Sequence, residues 1–73
     1  MNFPERLTML QQGKGVTKQN IDATIGLSRV AYYRYEKGER EPTASILIAL
    51  ADYFDVSLDY LVGRTDNPTF HKP

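Results

Sequence analysis

At helical spacing, Arg29, Val30, Tyr33, Arg34 and Lys37 fall on one face of a short segment, while Tyr32 and Tyr35 fall on the other. An ordinary solvated face mixes Glu and Lys. This one gathers three cations, an outward Val and an outward Tyr, with Glu36 as its only acid. Those residue types suit the edges of nucleic-acid bases. A guanidinium donates two parallel hydrogen bonds to guanine, Val touches the thymine methyl, and a Tyr hydroxyl bonds base or phosphate. Ser28 and Arg29, at the positive end of the same segment, suit phosphate. The plainer alternative is a set of solubilising charges with one interface aromatic.

No other constellation competes. The chain has no cysteine, which removes disulfides and thiolate metal sites together, and its single histidine, His71, is a poor base for a catalytic triad. Gly13-Lys14-Gly15-Val16-Thr17 has a faint phosphate-loop look, but it lacks the full spacing and no strand precedes it. Asp55 and Asp59 read as partners of the first-turn dipole of a last helix rather than as a cation site. The expectation is a non-enzyme with no metal, no cofactor and no small-molecule ligand.

The elements that position the basic face are punctuated in the sequence. An apolar residue, a Ser or Thr, three residues and a second apolar residue recur as Val16-Thr17 to Ile21, Leu27-Ser28 to Tyr32 and Val56-Ser57 to Leu61. The hydroxyl caps a free N–H of the first helical turn, and the apolar pair staples the chain's approach. Pro42-Thr43 with Leu47 is a weaker copy. Pro4 opens a first helix, and Gly13, Gly15, Gly26, Gly38 and Gly63 supply stops. The spacing predicts five helices at 4–12, 18–25, 29–37, 44–54 and 58–62, and no strand. Only Gly26-Leu27-Ser28 separates the second from the third. A turn that short makes a helix-turn-helix with its second helix presented outward, or else an ordinary αα-corner.

Seventy-three residues make one small domain, and a hydrophobic fraction of 41% with eight aromatics is too rich for a disordered segment. The longest apolar run, Ile46 to Ala51, cannot span a bilayer, and no signal-peptide layout is seen. The expected protein is soluble and cytoplasmic, with residues 1–63 as the domain, 64–73 as an irregular and mobile tail, and no room for a ligand-sensing domain. Nine cations balance nine acids, and nucleic-acid binders usually read basic. Position resolves the conflict. Residues 14–40 hold six cations against three acids, a balance of +3, and residues 41–73 hold two against five, a balance of −3. A molecule neutral in total presents one basic half.

Residues 3 to 63 resemble the Cro/cI-type helix-turn-helix domain (the XRE-like family) of phage repressors and bacterial regulators. The residues that carry the likeness are Leu7, Val16-Thr17, Ile21, Ile25-Gly26-Leu27-Ser28-Arg29, Arg34-Tyr35-Glu36-Lys37-Gly38, Glu41-Pro42, Leu47, Leu50-Ala51 and Val56 to Gly63. The resemblance implies an all-α, compact five-helix bundle that binds double-stranded DNA. It also implies a homodimer on a palindromic operator, acting as a small transcriptional regulator, a repressor. The family's base-reading positions fall on Ser28, Arg29, Val30 and Tyr33, and the outward face adds Arg34. Its phosphate-clamping positions fall on or near Thr17, Lys18, Lys37 and Arg40. Leu58, Tyr60, Val62 and Phe70 are the candidates for a dimer patch. The alternative is a protein–protein module, antitoxin-like or an anti-repressor, docking through the acidic second half.

Two positions depart from the family pattern. Lys18 stands where Gln is usual, facing Arg29 across the turn, so both cations are expected to be free for DNA. Asp22 stands where a small Ala is usual, and Tyr32 where a branched aliphatic is usual. Either the Tyr32 hydroxyl bonds the Asp22 carboxylate, or both tips reach solvent.

Overall fold

The structure, a computed structural model, describes residues 1–69, so the dimer candidate Phe70 lies outside the described residues. Five α-helices follow one another: α1 Phe3–Gly13, α2 Lys18–Ile25, α3 Arg29–Lys37, α4 Ala44–Phe54 and α5 Leu58–Leu61. No strand occurs among the described residues.

The hydroxyl caps decide where the helices begin. Thr17 Oγ1 accepts from the backbone N–H of Asn20, Ser28 Oγ from that of Ala31 and Ser57 Oγ from that of Tyr60, each at 3.0 Å. Thr43 Oγ1 accepts from Ile46 at 3.3 Å. The first helix opens earlier than Pro4. Asn2 Oδ1 accepts from the Glu5 N–H at 3.0 Å, and the Asn2 N–H donates back to Glu5 Oε1 at 3.3 Å. That capping box satisfies two donors at once and leaves Pro4 in the first turn, where its missing N–H costs nothing. Gly13 remains inside α1, which is capped by Lys14. Asp55 corrects a second reading: it is the left-handed cap that ends α4, at φ 57°, and only Asp59 sits in the first turn of α5.

The core is built from Leu7, Leu10, Ile21, Tyr32, Tyr35, Leu50, Ala51, Phe54, Val56 and Leu61. Burying an aliphatic or Phe side chain of this kind stabilises the fold by roughly 1.5–3 kcal/mol. Helix α1 packs on α3 and α5, α2 on α3 and α4, and α4 on α5. Tyr53 on α4 ties α4 to α2 by donating its hydroxyl proton to Asn20 Oδ1. Helix α3 is thus backed by α1 and α2 along one side, and its other side faces outward.

Residues 64–69 form no helix, and polar contacts tie them back to the bundle. The Ser57 N–H donates to the Pro68 carbonyl at 2.8 Å. Arg6, only 3% exposed, reaches Asp66 Oδ1 at 3.2 Å, and its guanidinium carbon lies 3.8 Å from the centre of the Tyr60 ring. Arg6 is therefore a buried cation under an aromatic lid. Gly63 permits the close approach of the N-terminus here. Its φ is +85°, and a Cβ on it would lie 1.9 Å from the Met1 carbonyl oxygen.

Candidate nucleic-acid interface

The turn between α2 and α3 is held by one acceptor. The backbone N–H groups of Gly26 and Leu27 both donate to the Asp22 carbonyl, at 2.8 and 2.9 Å. Gly26 takes φ +85°, a left-handed conformation that glycine adopts at no steric cost. Ser28 then returns to extended backbone and caps α3. Ile21, Tyr32 and Tyr35 are buried between the two helices and the rest of the bundle.

What the turn presents outward is the face read from the sequence. Ser28, Arg29, Arg34, Lys37 and Arg40 are exposed, as is Thr17 beside its cap. Val30 is 57% exposed and Tyr33 52%, two large apolar side chains left in solvent on one helix. Lys37 Nζ lies 5.6 Å from the centre of the Tyr33 ring, so the ammonium lies over the aromatic face.

Two cations are not free. Lys18 is half-buried, and its Nζ lies 2.9 Å from Glu36 Oε1. Arg29 donates its Nε–H to Asp22 Oδ2 at 2.9 Å and also bonds that oxygen through Nη2. The expectation that neither would have a partner within the protein is corrected, because each meets an acid on the neighbouring helix. Glu36, assigned to the outward face, turns its carboxylate toward α2 and is 9% exposed in its side chain.

Neither expectation for Tyr32 holds. Its side chain is fully buried, its hydroxyl has no hydrogen-bond partner, and Asp22 spends Oδ2 on Arg29 while Oδ1 is buried and unpaired. The Tyr32 ring instead lies 5.2 Å below the Arg29 guanidinium carbon. Burial pushes the Tyr32 hydroxyl pKa well above the ordinary tyrosine value. Glu36 adds to the shift and Arg29 opposes it.

The dimer candidates separate. Leu58 is 40% exposed. The Tyr60 ring is engaged by Arg6, and Val62 lines a cleft with Phe3, Pro42 and Leu47. Ile48, 51% exposed on α4, is an outward aliphatic that the sequence reading did not select. Helical spacing does place it off the face shared by Leu47, Leu50, Ala51 and Phe54, about 100° around the helix from Leu47. Among the described residues no three His, Cys, Asp or Glu side chains gather to hold a metal, and no helix is long and apolar enough to cross a membrane.

Residues 9–61 match the helix-turn-helix family. The chain is 42% identical over 65 residues to an uncharacterized HTH-type transcriptional regulator of Bacillus subtilis, YqaE, covering 89% of this chain and 56% of that one. It is 36% identical over 64 residues to the cryptic phage CTXphi transcriptional repressor RstR of Vibrio cholerae, covering 88% and 57%. The chain therefore spans little more than half the length of these relatives. Among solved structures, the P22 c2 repressor in complex with a synthetic operator superposes with a TM-score of 0.78 at 27% identity, covering 85% of this chain and 94% of that one. Matched over most of its length by family and by fold, the chain belongs to the helix-turn-helix family.

Proposed function

We propose that residues 1–63 bind double-stranded DNA in a sequence-specific manner as a small transcriptional regulator, a repressor, with α3 inserted in the major groove. The observation that carries this reading is the outward face of α3. Arg29, Val30, Tyr33 and Arg34 protrude from the side of α3 that faces away from α1 and α2, and Lys37 and Arg40 follow at its far end. Ser28, Arg29, Val30, Tyr33 and Arg34 read base edges, and Thr17, Lys37 and Arg40 hold phosphates. Lys18 joins the phosphate set only by leaving Glu36. The relatives named as regulators and the superposed repressor support the reading, RstR and P22 c2 being repressors by name.

A single copy offers few contacts, so the working form is a homodimer on a palindromic operator, its two α3 helices set about 34–36 Å apart. Leu58 supplies exposed apolar surface for that contact, joined by Val62 along its cleft. The site of action is the cytoplasm.

The test is selection of bound sequences from random duplex DNA at two salt concentrations. The expected result is one enriched palindromic motif, with affinity falling as salt rises. No enriched motif together with no salt dependence contradicts the reading and favours a protein-binding module.

A further inference from the structure

We propose that Asp22 is a positioning residue that sets which base Arg29 reads, by occupying one edge of its guanidinium and leaving the other for guanine. The inference rests on α3 entering the major groove as described above.

Arginine has five N–H donors in one plane. Nε–H and the nearer Nη2–H form one edge, and the remaining Nη2–H with an Nη1–H forms the tip. Asp22 Oδ2 accepts from both Nε and Nη2, so the side edge is occupied. The free tip presents two parallel donors. Guanine offers two adjacent acceptors, N7 and O6, to such a pair. Adenine offers N7 beside an amino donor, cytosine a donor and thymine a lone acceptor, so none satisfies both hydrogens.

Three further observations show that the clamp is fixed. Asp22 is held by the turn itself, because its carbonyl takes the N–H groups of Gly26 and Leu27. The Tyr32 ring lies below the guanidinium and closes that side. The Asp22 side chain is 12% exposed while that of Arg29 is 52% exposed, so the acceptor is sheltered and the reader protrudes. Arg29 also sits at the first position of α3, where a cation is disfavoured by the helix dipole, and the carboxylate offsets that cost. A guanidinium held in this way reaches DNA with little orientation left to lose.

The experiment repeats the DNA selection with the wild-type chain, Arg29→Ala, Asp22→Asn and Asp22→Glu, with folding followed by thermal denaturation. The wild type is expected to select guanine at one position of each half-site, by roughly tenfold or more over other bases. Arg29→Ala abolishes that preference and keeps the rest of the motif. Asp22→Asn, nearly isosteric and without the charge, lowers the preference at that position at least about threefold while the other positions keep theirs. Asp22→Glu restores part of it. A merely structural role for Asp22 weakens every position and every sequence alike, and that result overturns the inference, as does an unchanged guanine preference in Asp22→Asn. If the wild type enriches no motif, the DNA-reading proposal fails and this one with it. A motif that survives Asp22→Asn intact overturns the Asp22 role alone.

Discussion

Lys18 and Glu36 meet across α2 and α3, with 2.9 Å between Nζ and Oε1, about two turns of α3 away from the pair formed by Asp22 and Arg29. The two pairs are crossed: α2 supplies the cation of one and the acid of the other. Together they fasten the two helices on either side of the buried Tyr32. They also pair two cations of the basic half, which leaves Lys14, Arg34, Lys37 and Arg40 without an acid partner among the described residues.

This arrangement fixes how binding responds to salt. Lys37→Ala or Arg40→Ala removes a free phosphate partner and is expected to flatten the slope of log affinity against log salt by about one unit. Lys18→Ala is expected to flatten it by clearly less, because its charge is already met by Glu36. Glu36→Gln releases Lys18 and is expected to steepen the slope and tighten binding to random DNA. Titrations of labelled duplex at four or five salt concentrations measure all four slopes.

Tyr32 is expected to be a residue whose hydroxyl does not help the fold. Buried and unpartnered, it forfeits its bonds to water without replacement, so Tyr32→Phe is expected to leave stability unchanged or raise it by up to about 1 kcal/mol. Tyr53→Phe, which loses the bond to Asn20, is expected to cost about 0.5–1.5 kcal/mol. The pH dependence follows from the raised pKa of Tyr32. Above the ordinary tyrosine value near 10, the unfolded chain loses this proton while the folded chain keeps it, so wild-type stability falls as pH rises from there. Tyr32→Phe removes that part of the fall. Thermal denaturation between pH 8 and about pH 11 tests both statements.

Gly63 is expected to tolerate no side chain. An alanine there carries the left-handed penalty of about 1–2 kcal/mol and also drives its Cβ into the Met1 carbonyl. Gly15→Ala, at φ +66° with open space around it, carries the first cost alone. Denaturant unfolding of the two variants separates them, and equal losses contradict the close approach of the N-terminus.

The parts of this fold that were legible in the sequence are those governed by local chemistry. Thr17, Ser28, Thr43 and Ser57 each bond a group three residues away, so type and spacing sufficed to place four helix starts. The outward position of Arg29, Val30, Tyr33 and Arg34 followed from the staple that turns Tyr32 inward. What was missed depends on how helices cross. Spacing offers Asp22 the Tyr32 hydroxyl or solvent, and only the packed geometry brings the Arg29 cation to it. Glu36 lies on the flank of its helix, where periodicity cannot say whether it reaches solvent or Lys18. Arg6 and Asp66 are sixty positions apart, and no local pattern links them. Asn2 with Glu5 has the spacing of a capping box, and it sets the start of α1 one residue before Pro4. Asp55 in a left-handed cap is the kind of exception that spacing does not announce, since glycine fills that role at the ends of α2 and α3.

The central claim is that α3 reads bases through Arg29 and holds phosphates through Lys37. The direct measurement is the affinity of the wild type, Arg29→Ala and Lys37→Ala for the selected operator and for a random duplex at one salt concentration. Arg29→Ala is expected to lose about 1–3 kcal/mol on the operator and far less on random DNA, while Lys37→Ala weakens both by the same amount. If both variants weaken operator and random DNA alike, Arg29 does not read sequence and the claim is wrong.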